Sequence, residues 1–147
     1  MISVNRLLDD VLLLQQSGVN PETLRDDGAR WIDKTVEKPW GYEREIYRAG
    51  AVSITRLVLN PGAETSLHCH PNKDAVLIVE EGSCILETLV GTVAMDAGES
   101  AQIQRGAFHR TRTAKGCALV EVESPANKRD LVRLNDRYGR GQGYESR

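Results

Sequence analysis

Histidine is scarce in this chain: there are three among 147 residues, His68, His70 and His109. Cysteine is as rare. Three cysteines, an odd number at scattered spacing, exclude a disulfide framework and fit a reducing cytoplasm. No run of eighteen apolar residues exists, which excludes a membrane-spanning helix, and the N-terminus shows neither the apolar core nor the small-residue cleavage site of a signal peptide. A strong charge of one sign is missing too. A net charge of −2 and a pI of about 5.9 exclude a general nucleic-acid or membrane-surface binder. The expectation is a cytoplasmic protein of one domain, large enough for a real core.

Two segments at the N-terminus read as helical. Residues 3–16 place Val4, Leu7, Val11 and Leu14 at a/d spacing, with Leu8 and Leu12 widening the stripe and Ser3 as cap. Such a stripe packs either on its own domain or on a second subunit. Gly18 stops the helix. Asn20-Pro21-Glu22 then starts another, with Asn as cap, Pro at the first helical position and an acid in the first turn. That helix is expected to reach about Lys34, with Leu24, Trp31 and Ile32 on its buried side.

From Glu37 the texture changes to short apolar runs cut by Gly, Pro or Asn: AVSITRLVLNPG, AVLIVEEG, CILETLVG, TVAMDAG, ESAQIQRG, CALVEVESP. Strands of four to eight residues at this rhythm predict an all-β sandwich or barrel. One more short strand is expected at Asp130–Leu134. The organisation expected is a helical extension over 1–36, a β domain over 37–140 and a flexible tail over 141–147.

All three histidines sit at the edges of strand-like runs. Alternate residues of a strand share a face, so His68 and His70 point the same way, and His109 from a distant strand can complete a metal site. Neutral imidazoles suit Zn, Fe, Ni, Co and Mn to differing degrees. Cys69, between the pair, faces the other way and reads as a small core residue, as do Cys84 and Cys117. Arg110 and Arg112 alternate with His109 and are expected to face away from it. Trp40 and Tyr42 flank Gly41 and are expected to pack under the rim of the barrel.

The spacing around these histidines resembles the cupin superfamily. Gly62, five residues, His68-Cys69-His70, four residues, Ala75, six residues and Gly82 follow the first cupin motif. Gly98, five residues, Gln104-Arg105-Gly106, two residues, His109, three residues and Thr113 follow the second. Ala75 stands where cupins place a metal-binding Glu, Gln104 where they place Pro, and Thr113 where they place Asn. The resemblance implies a double-stranded β-helix, or jelly-roll barrel, holding a divalent transition metal on His68, His70 and His109. Asp74, one residue before Ala75, is a further candidate ligand if a bulge brings it round.

A narrower resemblance covers roughly 38–140. KPWGYE, TRLVLNPG, SLHCH and DLVRLNDRYGR are similar to the C-terminal cupin domain of type II mannose-6-phosphate isomerases. It implies a metal-dependent sugar-phosphate isomerase or epimerase, in which the metal stabilises charge on sugar oxygens. Glu64, Asp74 and Glu87 are the candidates for moving the proton. Arg56, Arg133, Arg137 and Arg140 are the candidates for gripping a phosphate, since a guanidinium matches its oxygens bidentately. Two other functions stay open: a three-His Fe(II) dioxygenase of a small substrate, suggested by Ala75, and a non-catalytic small-ligand or sugar-binding cupin. A homodimer is expected, because a lone jelly roll leaves sheet edges to cover.

Overall fold

A computed structural model describes residues 2, 4–24, 30–141 and 143–144. Among these, helix α1 (Leu8–Gln16) and a 3-10 turn at Pro21–Thr23 precede the strands. The strands are β1 (Arg30–Lys38), β2 (Gly41–Ala49), β3 (Val52–Leu59), β4 (Leu67–Cys69), β5 (Asp74–Thr88) and β6 (Gly91–Asp96). They continue with β7 (Ser100–Ile103), β8 (His109–Arg112), β9 (Cys117–Ser124), β10 (Val132–Asn135) and β11 (Gly143–Tyr144). All pairings are antiparallel, in the order β1-β2-β3-β9-β5-β8-β4-β10-β11, with β6 and β7 also on β5.

The long strand β5 joins the two halves. Its first half pairs with β7 and β9, its second half with β6 and β8. The handover comes at Gly82, next to a register break between Val79 and Glu81. Gly82 has φ +75°, and a Cβ there would stand 2.6 Å from the Gly116 carbonyl oxygen, so no larger residue fits without movement. One core runs across both halves: Leu57, Leu59 and Leu119 from β3 and β9, Leu77, Val79 and Leu86 from β5, and Met95 from β6. Burying each Leu or Val contributes roughly 1.5–3 kcal/mol. The jelly-roll expectation holds.

The helical extension is shorter than expected. Ser3 lies outside the described residues, and α1 begins only at Leu8, where the Leu7 N–H donates to Asp10 Oδ2 at 2.7 Å. None of its residues is buried; Leu8, Leu12 and Leu13 are exposed, and Val11 and Leu14 half-buried. The second helix is replaced by a single 3-10 turn. Asn20 caps it as expected, its Oδ1 accepting from the Glu22 N–H at 3.1 Å. Residues 30–38 instead form a strand hydrogen-bonded to β2. The β-branched Ile32, Thr35 and Val36 favour a strand, and the ladder to β2 satisfies the backbone that a helix would have satisfied internally. Trp31 is accordingly exposed and Ile32 half-buried. At the other end of this hairpin Gly41 has φ +144°, and a Cβ there would lie 1.9 Å from the Val58 carbonyl oxygen. That close approach seats Trp40 in the core, 5% exposed. In the tail, Arg133 pairs with Gly143 and Val132 with Tyr144, while Gln142 and residues 145–147 lie outside the described residues.

Candidate metal centre

The three histidines converge because neighbouring strands carry them. His68 of β4 is the register partner of His109 of β8. His70 follows β4 directly, and its carbonyl oxygen accepts from the Gly106 N–H at 2.8 Å, tying the pair to the loop that leads into His109. Ring centroids are 4.7 Å apart for His68–His109, 4.9 Å for His68–His70 and 5.8 Å for His70–His109. One ring nitrogen from each lies within 4.8 Å of the others.

Each imidazole is oriented by the same device. Nδ1 of His68 lies 2.8 Å from the Ser66 carbonyl oxygen, Nδ1 of His70 2.6 Å from that of Asp130, and Nδ1 of His109 2.9 Å from that of Ala107. A carbonyl oxygen only accepts, so each Nδ1 carries the proton and donates it. Nε2 of each ring therefore keeps its lone pair. Burial favours the neutral form of all three: it holds His68 well below the usual imidazole range, lowers His109, and brings His70 down to about 4, with the Lys73 charge adding to it. Three neutral imidazoles with fixed tautomers and backbone acceptors behind them form a donor set that fits a divalent transition metal.

No carboxylate joins these nitrogens among the described residues. Ala75 is buried on the same side of β5 as Leu77 and brings only a methyl. Asp74 does not come round. It is turned outward, where its carboxylate accepts from the Arg105 N–H at 2.8 Å and from the Arg105 guanidinium. Those bonds hold it below the usual carboxylate range. The other expected proton-transfer groups are also engaged outside: Glu64 and Glu87 both hold Arg110. Arg110 thus faces away from the imidazoles, as its alternation with His109 predicts.

Beside the imidazoles lies a cavity of about 160 Å³. Two of the four expected phosphate arginines line it. Arg133 is buried and donates to the Gly141 carbonyl oxygen at 3.1 Å, and Arg140 grips Asp136 through Nε at 3.0 Å and Nη2 at 2.6 Å. The other two do not. Arg56 pairs with Glu80 and Glu81 on the outer face, because Ser53, Thr55, Leu57 and Leu59 take the inward positions of β3. Arg137 is exposed and donates to the Gly62 carbonyl oxygen. The cavity also holds charged residues that the sequence reading passed over: Lys73, Glu121, Glu123 and Lys128. Parity was the signal available. Glu121 and Glu123 share the inward face of β9 with Leu119. In all, five cationic side chains line the space against three carboxylates.

An all-β barrel whose three imidazoles converge beside a charged cavity is a barrel protein with a candidate metal centre. Residues 55–123, from within β3 to within β9, match the family model described as Cupin domain. The barrel's fold is similar to that of KdgF from Halomonas sp., with a TM-score of 0.62 and 12% identity over 67% of this chain and 96% of that one. It is also similar to an RmlC-like cupin from Shewanella frigidimarina, with a TM-score of 0.61 and 20% identity over 65% and 86% of the two chains. In sequence it is 29% identical over 116 residues to the xanthan biosynthesis protein XanB of Xanthomonas campestris pv. campestris, covering 76% of this chain and 25% of that protein. It is 27% identical over 144 residues to the mannose-1-phosphate guanylyltransferase of Escherichia coli, covering 90% of this chain and 30% of that protein. The chain thus spans about a quarter to a third of the length of these relatives.

Proposed function

We propose that this chain is a metal-dependent cupin acting on a small anionic sugar, in the manner of a sugar-phosphate isomerase or epimerase. The observation that carries this reading is the uniform tautomer of the three imidazoles, each Nδ1–H on a carbonyl and each Nε2 free, beside a cavity where cations outnumber carboxylates. The similarity to a mannose-1-phosphate guanylyltransferase supports a phosphorylated hexose as the ligand class. A divalent metal on His68, His70 and His109 supplies a Lewis-acid centre for charge developing on a sugar oxygen. Arg133 and Arg140 then bind the anionic group, and the apolar wall of Leu57 and Leu77 limits water at the reacting carbons.

The test is metal content by elemental mass spectrometry on untagged protein, beside a His68→Ala/His109→Ala variant, followed by an assay of mannose 6-phosphate and fructose 6-phosphate interconversion. Near-stoichiometric Zn, Mn, Fe, Co or Ni that the variant loses, together with interconversion independent of oxygen, is the expected result. Iron with oxygen consumption would replace the isomerase by a three-His dioxygenase, the function that Ala75 favours. Sugar-phosphate binding without turnover would leave a binding protein. The exposed Leu8, Leu12 and Leu13 of α1, and β1 at the end of the hydrogen-bonded path, support a homodimer. Sedimentation velocity of the wild type and of Leu8→Glu/Leu12→Glu tests it, the expected result being a dimer that the variant dissociates.

A further inference from the structure

Glu123 of β9 is the direct register partner of Ala75 of β5. Opposed residues of an antiparallel pair share a face, with Cβ atoms about 5 Å apart. A carboxylate rising from position 123 therefore enters the barrel next to the place where the motif carries its Glu and this chain carries Ala. Glu123 is 1% exposed and its partner Lys73 is 3% exposed, and both line the cavity that holds the imidazoles.

The two oxygens of Glu123 differ. Oε2 accepts from Lys73 Nζ, which also donates to the Asn127 carbonyl oxygen at 3.2 Å. Oε1 is buried and receives no hydrogen bond; Lys128 Nζ stands 3.7 Å from it and donates to Thr55 Oγ1 at 3.1 Å. A buried acceptor without a donor is costly, and a buried ion pair can often be exchanged for apolar side chains without loss of stability. Keeping both here points to use. Glu123 also stands outside the 4.8 Å cluster formed by the imidazole nitrogens. That position suits a group acting on what is bound there rather than on the metal itself.

We propose that Glu123 is the working carboxylate of this site. Its Oε1 accepts the hydrogen bond of a hydroxyl, from ligand or water, presented at the imidazoles, while Lys73 holds Oε2 and fixes the carboxylate's orientation. The carboxylate of this site thus stands across one strand pair from the motif position, at 123 rather than 75. It rests on the metal reading of the three histidines, and the test separates the two.

The experiment is titration with Co²⁺, followed by visible absorption, of the wild type, Glu123→Gln, Lys73→Met/Glu123→Gln and, as a control outside the cavity, Glu64→Gln. A group that hydrogen-bonds what the metal holds changes its affinity by about 10–100-fold when removed. Both Glu123 variants are expected to bind Co²⁺ about 10–100-fold more weakly, with Glu64→Gln unchanged. The double variant removes both charges together, so it carries the test if Glu123→Gln alone unfolds, as circular dichroism would show. Affinity within twofold of the wild type in a folded Glu123 variant overturns the role of Glu123 and leaves the metal centre standing. A wild type that takes up no Co²⁺ overturns the metal centre, and the role of Glu123 with it.

Discussion

His70 is oriented by Asp130, sixty positions further along the chain: its Nδ1–H donates to the Asp130 carbonyl oxygen at 2.6 Å. The Asp130 side chain fixes that carbonyl in turn. Its two oxygens accept from the Asn72 N–H and from Asn72 Nδ2, each at 2.8 Å. Burial raises the Asp130 carboxyl, but these bonds and the nearby cations outweigh it and hold the group below its usual range. The expected outcome of Asp130→Ala is a loss of about 1.5–3 kcal/mol of stability, the worth of hydrogen bonds to a charged group. Metal affinity is expected to fall about tenfold or more as His70 loosens. Urea unfolding and Co²⁺ titration measure both, and unchanged metal binding in the folded variant would break the link between the C-terminal segment and the site.

That link explains part of what the sequence showed. The β rhythm was legible because glycine-punctuated apolar runs have few other interpretations, and the imidazoles were legible because all three sit at motif spacing. Residues 30–34, expected to be helical, belong to a strand because the capping signal at Asn20-Pro21 is real but short-lived. It starts one turn, and the pairing with β2, a long-range effect, then decides the rest. Glu123 was missed because an acid in VEVES reads as the solvent face of an alternating strand. Only its shared parity with Leu119, 1% exposed, marks it as inward. Arg56 is the converse case, a cation assigned to the site although the neighbouring Leu57 holds the inward position.

Acid should destabilise the fold in a defined window. In the unfolded chain each imidazole takes up a proton near pH 6.5, whereas burial keeps folded His70 neutral down to about 4 and lowers His68 and His109 as well. Between those values the unfolded state binds more protons, so stability falls as pH drops from about 6.5 towards 4 and this contribution levels off below. His70 alone accounts for roughly 3 kcal/mol at most. Urea midpoints at pH 7.5, 5.5 and 4 should decline in that order, and His70→Gln should flatten the decline. A flat wild-type profile over this range would contradict neutral buried imidazoles.

The arginines should divide into two pairs. Arg133 and Arg140 line the cavity, while Arg56 is held by Glu80 and Glu81 and Arg137 lies outside on the Gly62 carbonyl. A hydrogen bond to a charged group contributes about 1.5–3 kcal/mol, so Arg133→Met and Arg140→Met should each weaken mannose 6-phosphate binding by about 10–100-fold. Arg56→Met and Arg137→Met should leave it within about threefold. Calorimetric titration decides, and equal losses across all four variants would remove the cavity as the anion site.

Restoring the motif carboxylate should strengthen the metal site. Ala75 is 5% exposed, on the same face as Leu77, with Glu123 opposite. In Ala75→Glu a second carboxylate enters a space shaped for a methyl, and overpacking of this kind costs about 1–3 kcal/mol. It also places an anionic oxygen donor beside three neutral imidazoles, which complements a divalent cation. The variant should therefore melt earlier than the wild type without metal and gain more from added Co²⁺ or Mn²⁺, because a ligand bound only to the folded state stabilises it according to its affinity. Thermal melts with and without each metal give both quantities. If Ala75→Glu gains no more from metal than the wild type does, a carboxylate at position 75 does not reach the imidazoles, and the alanine there is a packing choice rather than the loss of a ligand.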